Sequence, residues 1–517
     1  MAEIALEIQE KKTGKELYSY QKGAIGQIFE KFENAPKDYH LLYQLPTGGG
    51  KTVIFSEIVR QYLKHHFRKV LVMTHRVELC RQTSEMLTSF DVRNKVVNST
   101  ANLDDQANYS CFVAMVETLN NRLNDNKLDI SDIGLVIIDE AHYNSFTKLF
   151  KFFEKSFILG VTATPLSSNR NLPMKDNYDE LIIGESIEEL IKNEFLARAE
   201  IFRYDMSLTS LEVGSNGDYT VKSSEELYTT NGMLDQLLNA YTSCVKGKKT
   251  LIFNNGINTS IQVYHTFKTV GYPIAHLDNT TSKKQRRDIL KWFKETPDAI
   301  LTSVSILTTG FDEPTIDAII LNRATRSLTL YYQMVGRGSR ILNNKSTFTV
   351  VDLGNNVHRF GPWGANLDWQ MIFRSPDFYI DRLLDDEALE RNFKYQMPDA
   401  VRVQFKKSEE VYFDVIATYK AAIAKGESSK TVLEKSIEQH AKICTENSED
   451  VYDALALTKL LNDDIDHRIQ KYAKCISKST HNFLTWLKED YHKKLNAYLR
   501  KNFDALFEKI HGYLPKD

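Results

Sequence analysis

The residues with the most recognisable chemistry are those of the segment Gln44–Thr52, which reads QLPTGGGKT. The segment follows a short apolar run and precedes an apolar stretch with helical continuation. A strand, a glycine-rich turn and a helix in this order can bind phosphate through backbone N–H groups and the helix N-terminus. Lys51 would then reach the β- and γ-phosphates of a nucleotide, and Thr52 would hold Mg²⁺ through its hydroxyl. The alternative is a glycine-rich hairpin followed by a chance Lys-Thr pair.

Two adjacent acids, Asp139 and Glu140, follow the apolar run at 133–138. Carboxylates at the end of a buried strand are costly unless a cation or a reaction uses them. Beside a phosphate loop, Asp139 is predicted to bind Mg²⁺, directly or through water. Glu140 is predicted to polarise the attacking water as a general base. The alternative is a capped turn with two solvated acids.

A second group of candidate catalytic residues is Gln333, Arg337 and Arg340, spaced by four and three residues. On a continuous helix this spacing would place all three on one face. Two guanidiniums on one face repel each other unless an anion lies opposite, and a nucleotide γ-phosphate held by another domain is such an anion. An arginine used in this way accelerates hydrolysis by about 10³–10⁵-fold. The alternative is a surface face of salt bridges.

Two series of alternating strands and helices position these groups. Apolar strand patterns occur at 69–74, 110–116, 133–138 and 157–161, and then at 249–253, 274–277, 299–302, 318–321 and 348–351. This alternation predicts two parallel-sheet domains whose polar residues follow the strands at the ligand-binding edge. The alternating segment 200–228 predicts a hairpin leading into the second domain. After residue 377 the glycine-poor, amphipathic sequence predicts an α-helical domain.

Other polar residues lie at the predicted helix start and strand ends. The Gln21 amide, at the start of a helix predicted over 17–32, can pair with an adenine edge. Arg76 would contact a phosphate of a polymer or form a surface salt bridge, and the residues favour neither. The hydroxyls of Thr162 and Thr164 could relay the nucleotide state to the sheet.

The composition is that of an ordinary globular protein. The 517 residues carry a net charge of −2, which argues against a uniformly basic surface but allows a local basic groove. No apolar run reaches the length of a membrane span, and the acidic N-terminus lacks a signal peptide pattern. The five cysteines are scattered, which favours reduced thiols and no zinc knuckle. We therefore expect a cytoplasmic protein.

Taken in order, these segments resemble the motifs of a superfamily 2 helicase over residues 17–355. Motif I is at 46–52, motif Ia at 74–76, motif II (the DEAH form) at 139–142, motif III at 162–164 and motif VI at 333–340. The resemblance implies ATP binding by Gln21, Thr47, Gly48, Gly49, Gly50, Lys51, Thr52, Gly310 and Asp312. It implies catalysis by Glu140, Gln333, Arg337 and Arg340, and Mg²⁺ binding by Thr52 and Asp139. It also implies coupling by His142, Thr162 and Thr164, and nucleic-acid contacts by Arg76, Thr118, Asn254 and Thr309.

Within that superfamily the chain is most similar to RadD-like helicases and to the motor subunits of type III restriction enzymes. The segments that carry this similarity are 74–79, 352–355 and 358–361. The implied fold is α/β, with two tandem RecA-like parallel-sheet domains (1–195 and 196–376) and a C-terminal α-helical domain (377–517). The implied activity is ATP- and Mg²⁺-dependent movement on DNA in repair, recombination or defence. An ATP-gated binding or remodelling subunit and an RNA helicase remain open alternatives.

The helical C-terminal region carries basic and aromatic residues close together. The basic residues are Arg468, Lys471, Lys478, Lys493, Lys494, Arg500 and Lys501, and the aromatic residues are Trp486, Tyr491 and Tyr498. Such a mixture can bind a phosphate backbone and stack bases. A solvated helical face with aromatic residues in the core is the more common outcome and is favoured here. Recruitment of a protein partner is equally open.

Overall fold

The computed structural model describes residues 16–36, 38–98, 106–124, 132–167, 169, 171–308, 310–383, 397–408, 410–476 and 481–511. The chain divides into two compact units, Met1–Thr229 with Leu238–Leu389, and Thr230–Leu237 with Glu390–Asp517. Within the described ranges, no helix is both long enough and apolar enough to cross a bilayer. The five cysteines are free thiols.

The first sheet of the larger unit is parallel throughout and has the strand order β3-β4-β2-β5-β6-β1-β7. Its strands are β1 His40–Gln44, β2 Lys69–Thr74, β3 Asn94–Val97, β4 Cys111–Met115, β5 Ile133–Asp139, β6 Phe157–Thr162 and β7 Glu180–Ile183. Its helices are α1 Ser19–Asn34, α2 Lys51–His65, α3 Val77–Ser89, α4 Val116–Asn124 and α5 Ile187–Lys192. The central strand β5 is buried along its whole length, as expected for a strand covered by helices on both faces.

The second sheet is also parallel and has the order β10-β11-β9-β12-β13-β8. Its strands are β8 Arg198–Arg203, β9 Thr250–Asn254, β10 Ile274–Leu277, β11 Ile300–Ser303, β12 Ala318–Asn322 and β13 Thr347–Asp352. The helices of this part are α6 Val221–Tyr228, α7 Asn231–Cys244, α8 Ile257–Val270, α9 Lys283–Glu295, α10 Leu328–Val335, α11 Asn356–Phe360, α12 Trp369–Arg374 and α13 Pro376–Ile380. The α/β prediction with two parallel-sheet domains is confirmed.

The hairpin predicted over 200–228 is wrong. Strand β8 pairs in parallel with β13 at the edge of the second sheet, and residues 221–228 form helix α6. Within the predicted range, Val213 and Tyr219 form an isolated antiparallel bridge. The alternating pattern arises because an edge strand is half-exposed.

The smaller unit is helical, as predicted. Its helices are α14 Asp399–Arg402, α15 Val415–Ala424, α16 Thr431–Glu446, α17 Val451–Thr458, α18 Asn462–Cys475 and α19 His481–His511. Their apolar faces enclose a separate core that includes Phe405, Ile465 and Leu495. Residues 384–396 of the predicted helical region lie outside the described residues.

A buried polar network crosses the core of this helical unit. The Asp464 carboxylate accepts hydrogen bonds from Arg468 Nη2 at 2.7 Å and pairs with His440 Nε2 at 2.9 Å. The Tyr491 hydroxyl lies 2.8 Å from both His440 Nδ1 and Ser436 Oγ. Arg468 and Tyr491 are therefore core residues and not part of a basic, aromatic surface, which corrects one of the two sequence interpretations. Lys478 lies outside the described residues.

Candidate functional site

The phosphate loop joins β1 to α2. Gly48 and Gly50 have φ angles of 93° and 86°, a region that L side chains rarely adopt, so the loop needs glycine at both positions. The Lys51 ammonium donates to the carbonyls of Leu45 and Pro46 at 3.1 and 3.5 Å. Burial lowers the pKa of Lys51, while Glu140 and Asp139 act in the opposite direction. The lysine is thus held inside the concavity formed by its own loop.

The two acids predicted from sequence lie at the end of β5, beside this lysine. Asp139 Oδ1 accepts a hydrogen bond from the Glu140 N–H at 3.0 Å, and Glu140 has a φ of 54°, which is strained for a non-glycine residue. Burial and the neighbouring Glu140 charge raise the pKa of Asp139 to about 7. Burial also opposes ionisation of Glu140, but the Lys51 charge, helped by that of Arg337, outweighs it and lowers the pKa of Glu140. Glu140 is therefore an anion at neutral pH, as a general base must be.

His142 joins the acids to the rest of the site through three polar contacts. Its Nδ1 lies 3.0 Å from Thr162 Oγ1, and because that hydroxyl donates to the Thr164 carbonyl, Nδ1 must carry the proton. Its Nε2 then accepts from the Gln333 amide at 3.4 Å. Burial lowers the pKa of His142, which keeps this neutral form. The Glu140 Oε2 atom lies 3.4 Å from Nδ1 but is not hydrogen-bonded to it or to any other described residue.

The second sheet domain contributes further contacts to the same place. Gln333 is buried on helix α10, and Thr164 Oγ1 donates to Thr329 Oγ1 on that helix at 2.9 Å. The three residues predicted to couple the domains, His142, Thr162 and Thr164, are thus brought together with α10. Their assignment as coupling residues stays a prediction, now with a defined chain of hydrogen bonds.

The single helical face predicted for Gln333, Arg337 and Arg340 is wrong. Helix α10 ends at Val335, so Arg337 and Arg340 lie beyond its last residue. The physical reason why the helix ends before Arg337 is the presence of Gly336 and Gly338 on either side of this residue. A side chain at position 336 would meet Thr47, and one at position 338 would meet the Phe348 ring, so the chain packs closely at both positions.

The two arginines consequently have different surroundings. The buried guanidinium of Arg337 donates to the carbonyls of Thr308 and Phe311, and burial lowers the pKa of Arg337 to about 10. Arg340 Nε donates to the Asp312 carboxylate at 2.8 Å. Arg340 Nη1 is buried and has no hydrogen-bond partner among the described residues, and a side chain on Gly48 would collide with it. Arg340 therefore reaches the phosphate loop with a free donor.

The turn after α10 also packs directly on the phosphate loop. An ideal Cβ at Gly336 would lie 2.7 Å from the Thr47 Cβ. The Thr47 hydroxyl is buried and has no hydrogen-bond partner within the described part of the chain. The predicted nucleotide site is thus formed by both sheet domains.

Gly310 and Asp312 both bond to neighbouring side chains of the protein. The Gly310 carbonyl accepts from the Gln82 amide at 2.7 Å, and Asp312 pairs with Arg340. Both residues were predicted to bind ATP, and that assignment stays a prediction. Thr309, predicted to contact nucleic acid, lies outside the described residues.

Of the other predicted nucleic-acid contacts, one is contradicted by its surroundings. Asn254 is fully buried, and its amide donates to Thr302 Oγ1 at 2.9 Å and to the Ser303 carbonyl at 3.1 Å. Asn322 on the adjacent strand donates to its carbonyl oxygen at 2.8 Å, so Asn254 stabilises the sheet edge and cannot reach a ligand. Thr118 is half-buried on α4. Arg76 Nη1 lies 3.5 Å from the Ile306 carbonyl of the second domain.

An aromatic cluster beside the phosphate loop was not predicted. The Phe195 ring lies 4.4 Å from Tyr18 and 5.1 Å from Tyr20, and the Tyr20 hydroxyl donates to the Gly49 carbonyl at 2.7 Å. Gln21 Oε1 accepts from the Tyr18 N–H at 3.0 Å. The tyrosines flanking Gln21 were a usable signal, but the approach of Phe195 depends on the fold.

Two family models match the segments that build this site. Residues 14–167 match the type III restriction enzyme, res subunit, and residues 231–342 match the helicase conserved C-terminal domain. The first segment contains the phosphate loop and both acids, and the second contains the motif around Arg337. These matches support a superfamily 2 helicase.

One curated relative is the candidate ATP-dependent helicase IRC3 of Saccharomyces cerevisiae. It is 30% identical over 378 residues, a match that covers 68% of this chain and 54% of the relative. The chain thus spans about half the length of this relative.

Two solved structures share the fold of the helicase domains. A fragment of a candidate HsdR subunit of a type I restriction enzyme from Vibrio vulnificus YJ016 matches with a TM-score of 0.54 and 20% identity, over 70% of each chain. The Type ISP restriction-modification enzyme LlaBIII, bound to DNA in its structure, matches with a TM-score of 0.52 and 14% identity, over 97% of this chain and 43% of that one. At these identities the likeness shows the fold alone.

Proposed function

We propose that this protein is an ATP-dependent DNA helicase or translocase that couples ATP hydrolysis to movement on, or unwinding of, DNA. The observation that carries the proposal is the meeting of Glu140 and Arg340 at one phosphate loop. Each residue has a buried polar atom without a hydrogen-bond partner among the described residues. A carboxylate that polarises water and a cation that stabilises the γ-phosphate are the two groups that hydrolysis requires.

The residues at the loop also fit the Mg²⁺ that usually accompanies ATP. A hydroxyl and a carboxylate oxygen are donors that Mg²⁺ prefers, and Thr52 and Asp139 supply one of each. A buried carboxylate with a pKa near 7 would be ionised by an adjacent divalent cation. Mg²⁺ bound by these residues would neutralise charge on the phosphates.

The protein's own residues define a closing and opening cycle. Lys51 would exchange its contacts with the loop carbonyls for the phosphates, and Arg340 would bridge from the second domain to the γ-phosphate. Glu140 would orient water for attack. Loss of the γ-phosphate removes this bridge, and the contacts of His142 with Gln333 and of Thr164 with Thr329 would transmit the change to helix α10.

DNA is the substrate that we favour, with phosphate contacts from Arg76, Thr118 and Thr309. The restriction-enzyme descriptions of the first family match and of both solved structures support DNA. Binding that depends on phosphates would show weak sequence preference and strong salt dependence. A role in repair, recombination or defence follows from the same resemblance.

The experiment that tests substrate and activity together compares ATP turnover with single-stranded DNA, branched DNA and RNA of equal length, beside a strand-displacement assay. We expect DNA to stimulate turnover more than RNA does, and displacement of a DNA strand. Stronger stimulation by RNA would make the protein an RNA helicase. Strong stimulation by DNA without displacement on any fork or flap would favour an ATP-gated remodelling subunit instead.

The catalytic assignment is tested by Glu140→Gln. We expect turnover below a few per cent of wild type while ATP binding persists, because the substitution removes the base but keeps its size. Glu85→Gln is the matched control, since Glu85 is an exposed acid on α3 that pairs with Arg81. Turnover of Glu140→Gln well above that level would show that another group activates the water.

A further inference from the structure

Three neighbouring aromatic rings, tilted by 36° and 39° to one another and here called the stack, connect the end of strand β2 to the acids of motif II. The His75 ring lies 4.1 Å from the Tyr143 ring, and the Tyr143 ring lies 4.3 Å from the His142 ring. His75 directly precedes Arg76 in the chain, and His142 follows Glu140 by two residues. The stack thus begins beside a proposed nucleic-acid contact and ends beside the proposed general base.

The His75 side chain contributes to this stack through its ring faces. Both its nitrogens are buried and have no hydrogen-bond partner in the described part of the chain. Burial lowers the pKa of His75 to about 4, so the ring is neutral at physiological pH. A buried, neutral imidazole without polar partners is unusual enough to need an explanation, and packing against Tyr143 is the contact that the structure offers.

The far end of the stack is held in one orientation. The Thr162 hydroxyl and the Gln333 amide bond the two nitrogens of His142, and the Glu140 carboxylate lies 3.4 Å from Nδ1. A shift of the His142 ring would therefore disturb both the link to α10 and the carboxylate beside it. Packed rings pass on a displacement because close-packed groups have few alternative arrangements.

We propose that the stack of His75, Tyr143 and His142 is a positioning device that couples nucleic-acid binding at Arg76 to the orientation of Glu140. The proposal rests on the proposed function, since it assumes ATP hydrolysis that nucleic acid stimulates. Binding of a phosphate by Arg76 moves the backbone at the end of β2, and His75 passes this movement to Tyr143 and His142. His75 acts through Tyr143 and His142 and not on the reacting atoms, so its proposed role is positioning.

The test measures the ratio of kcat with saturating single-stranded DNA to kcat without DNA, together with the Kd for that DNA. His75→Ala removes the ring, and we expect the ratio to fall by about 3- to 30-fold, the range of coupling effects between sites. His75→Phe keeps a ring of similar shape and should restore most of the ratio. His66→Ala is the matched control, because His66 stacks on Tyr62 at 4.5 Å near the other end of β2 and should leave the ratio unchanged.

Tyr143→Leu gives a second, independent measurement. Because both substitutions break the same stack, the decreases in the kcat ratio caused by Tyr143→Leu and by His75→Ala should not add in the double variant. A wild-type ratio in His75→Ala or Tyr143→Leu, or an equal loss in His75→Phe and His75→Ala, would overturn the proposal. Either result would leave the proposed function intact if Glu140→Gln still abolished turnover. Absence of ATP hydrolysis in the wild-type protein would instead overturn both.

Discussion

Arg337 and Arg340 were predicted to act alike, and the structure predicts that they do not. Arg340 has a buried Nη1 atom that faces Gly48 and has no hydrogen-bond partner among the described residues. The Arg337 guanidinium donates its hydrogen bonds to the carbonyls of Thr308 and Phe311. We therefore predict that Arg340→Gln impairs catalysis and that Arg337→Gln primarily impairs stability.

The expected sizes of the two effects differ enough to be separated. An arginine that stabilises the transferred phosphoryl group is worth about 10³–10⁵ in kcat, or about 4–7 kcal/mol of activation free energy. The Arg340–Asp312 ion pair is largely exposed on the aspartate side, so its loss should change the free energy of unfolding by about 0–1 kcal/mol. Arg337→Gln leaves buried carbonyls without a charged donor, which should cost about 3 kcal/mol of stability.

The assay is steady-state ATP turnover at saturating DNA, paired with thermal unfolding of each variant. Arg340→Gln should lose turnover at an unchanged unfolding temperature, whereas Arg337→Gln should unfold several degrees lower. Arg287→Gln, an exposed position on α9, is the control for removal of a guanidinium. If both variants kept wild-type stability and lost turnover equally, the two arginines would act together on the phosphate and our distinction would be wrong.

Two further predictions follow from close packing and from burial. Gly336→Ala places a methyl group 2.7 Å from the Thr47 Cβ, so the two domains must separate locally and ATP turnover should fall at least tenfold. Gly26→Ala is the control, because nothing lies within 4 Å of its new methyl group, and it should leave ATP turnover unchanged. Burial lowers the pKa of His440 to about 4, below its ordinary value of 6.5, so the unfolded chain binds the proton first. The free energy of unfolding of the helical unit should therefore decrease as pH falls from 6.5 to 4, by about 3 kcal/mol in urea titrations, and His440→Gln should flatten that dependence.

The sheets were predictable because their strands are continuous apolar runs. Strands such as β2 and β5 are buried on both faces, so their composition alone marks them and their order along the chain suggests parallel pairing. Strand β8 was misread because an edge strand is half-solvated and alternates as a hairpin strand does. This segment is an edge strand and not a hairpin strand because it pairs with β13, which lies about 150 residues later in the chain.

The site was predictable to the extent that local sequence determines it. The phosphate loop needs glycine at two positive-φ positions, and the acids need a buried strand to carry them, so both features are visible in the sequence. The geometry of the arginines was not visible, because helical spacing assumes a helix that continues. Gly336 and Gly338 indicated that the helix ends here, because glycine commonly follows the last residue of a helix.

Asn254 and Glu140 show why a polar residue at a strand end does not by itself indicate function. Asn254 ends the buried strand β9 and Glu140 follows the buried strand β5, and both were assigned functional roles from the sequence. Asn254 bonds Thr302 and Ser303 on one side and Asn322 on the other, so its hydrogen-bonding capacity is spent on the neighbouring strands. Glu140 is strained, ionised and leaves a buried oxygen without a hydrogen-bond partner among the described residues. The difference lies in which polar atoms the fold already satisfies, and that depends on residues far apart in sequence. An unsatisfied buried atom beside the phosphate loop therefore adds functional evidence, and Arg340 and Thr47 share this feature with Glu140, whereas Asn254 does not.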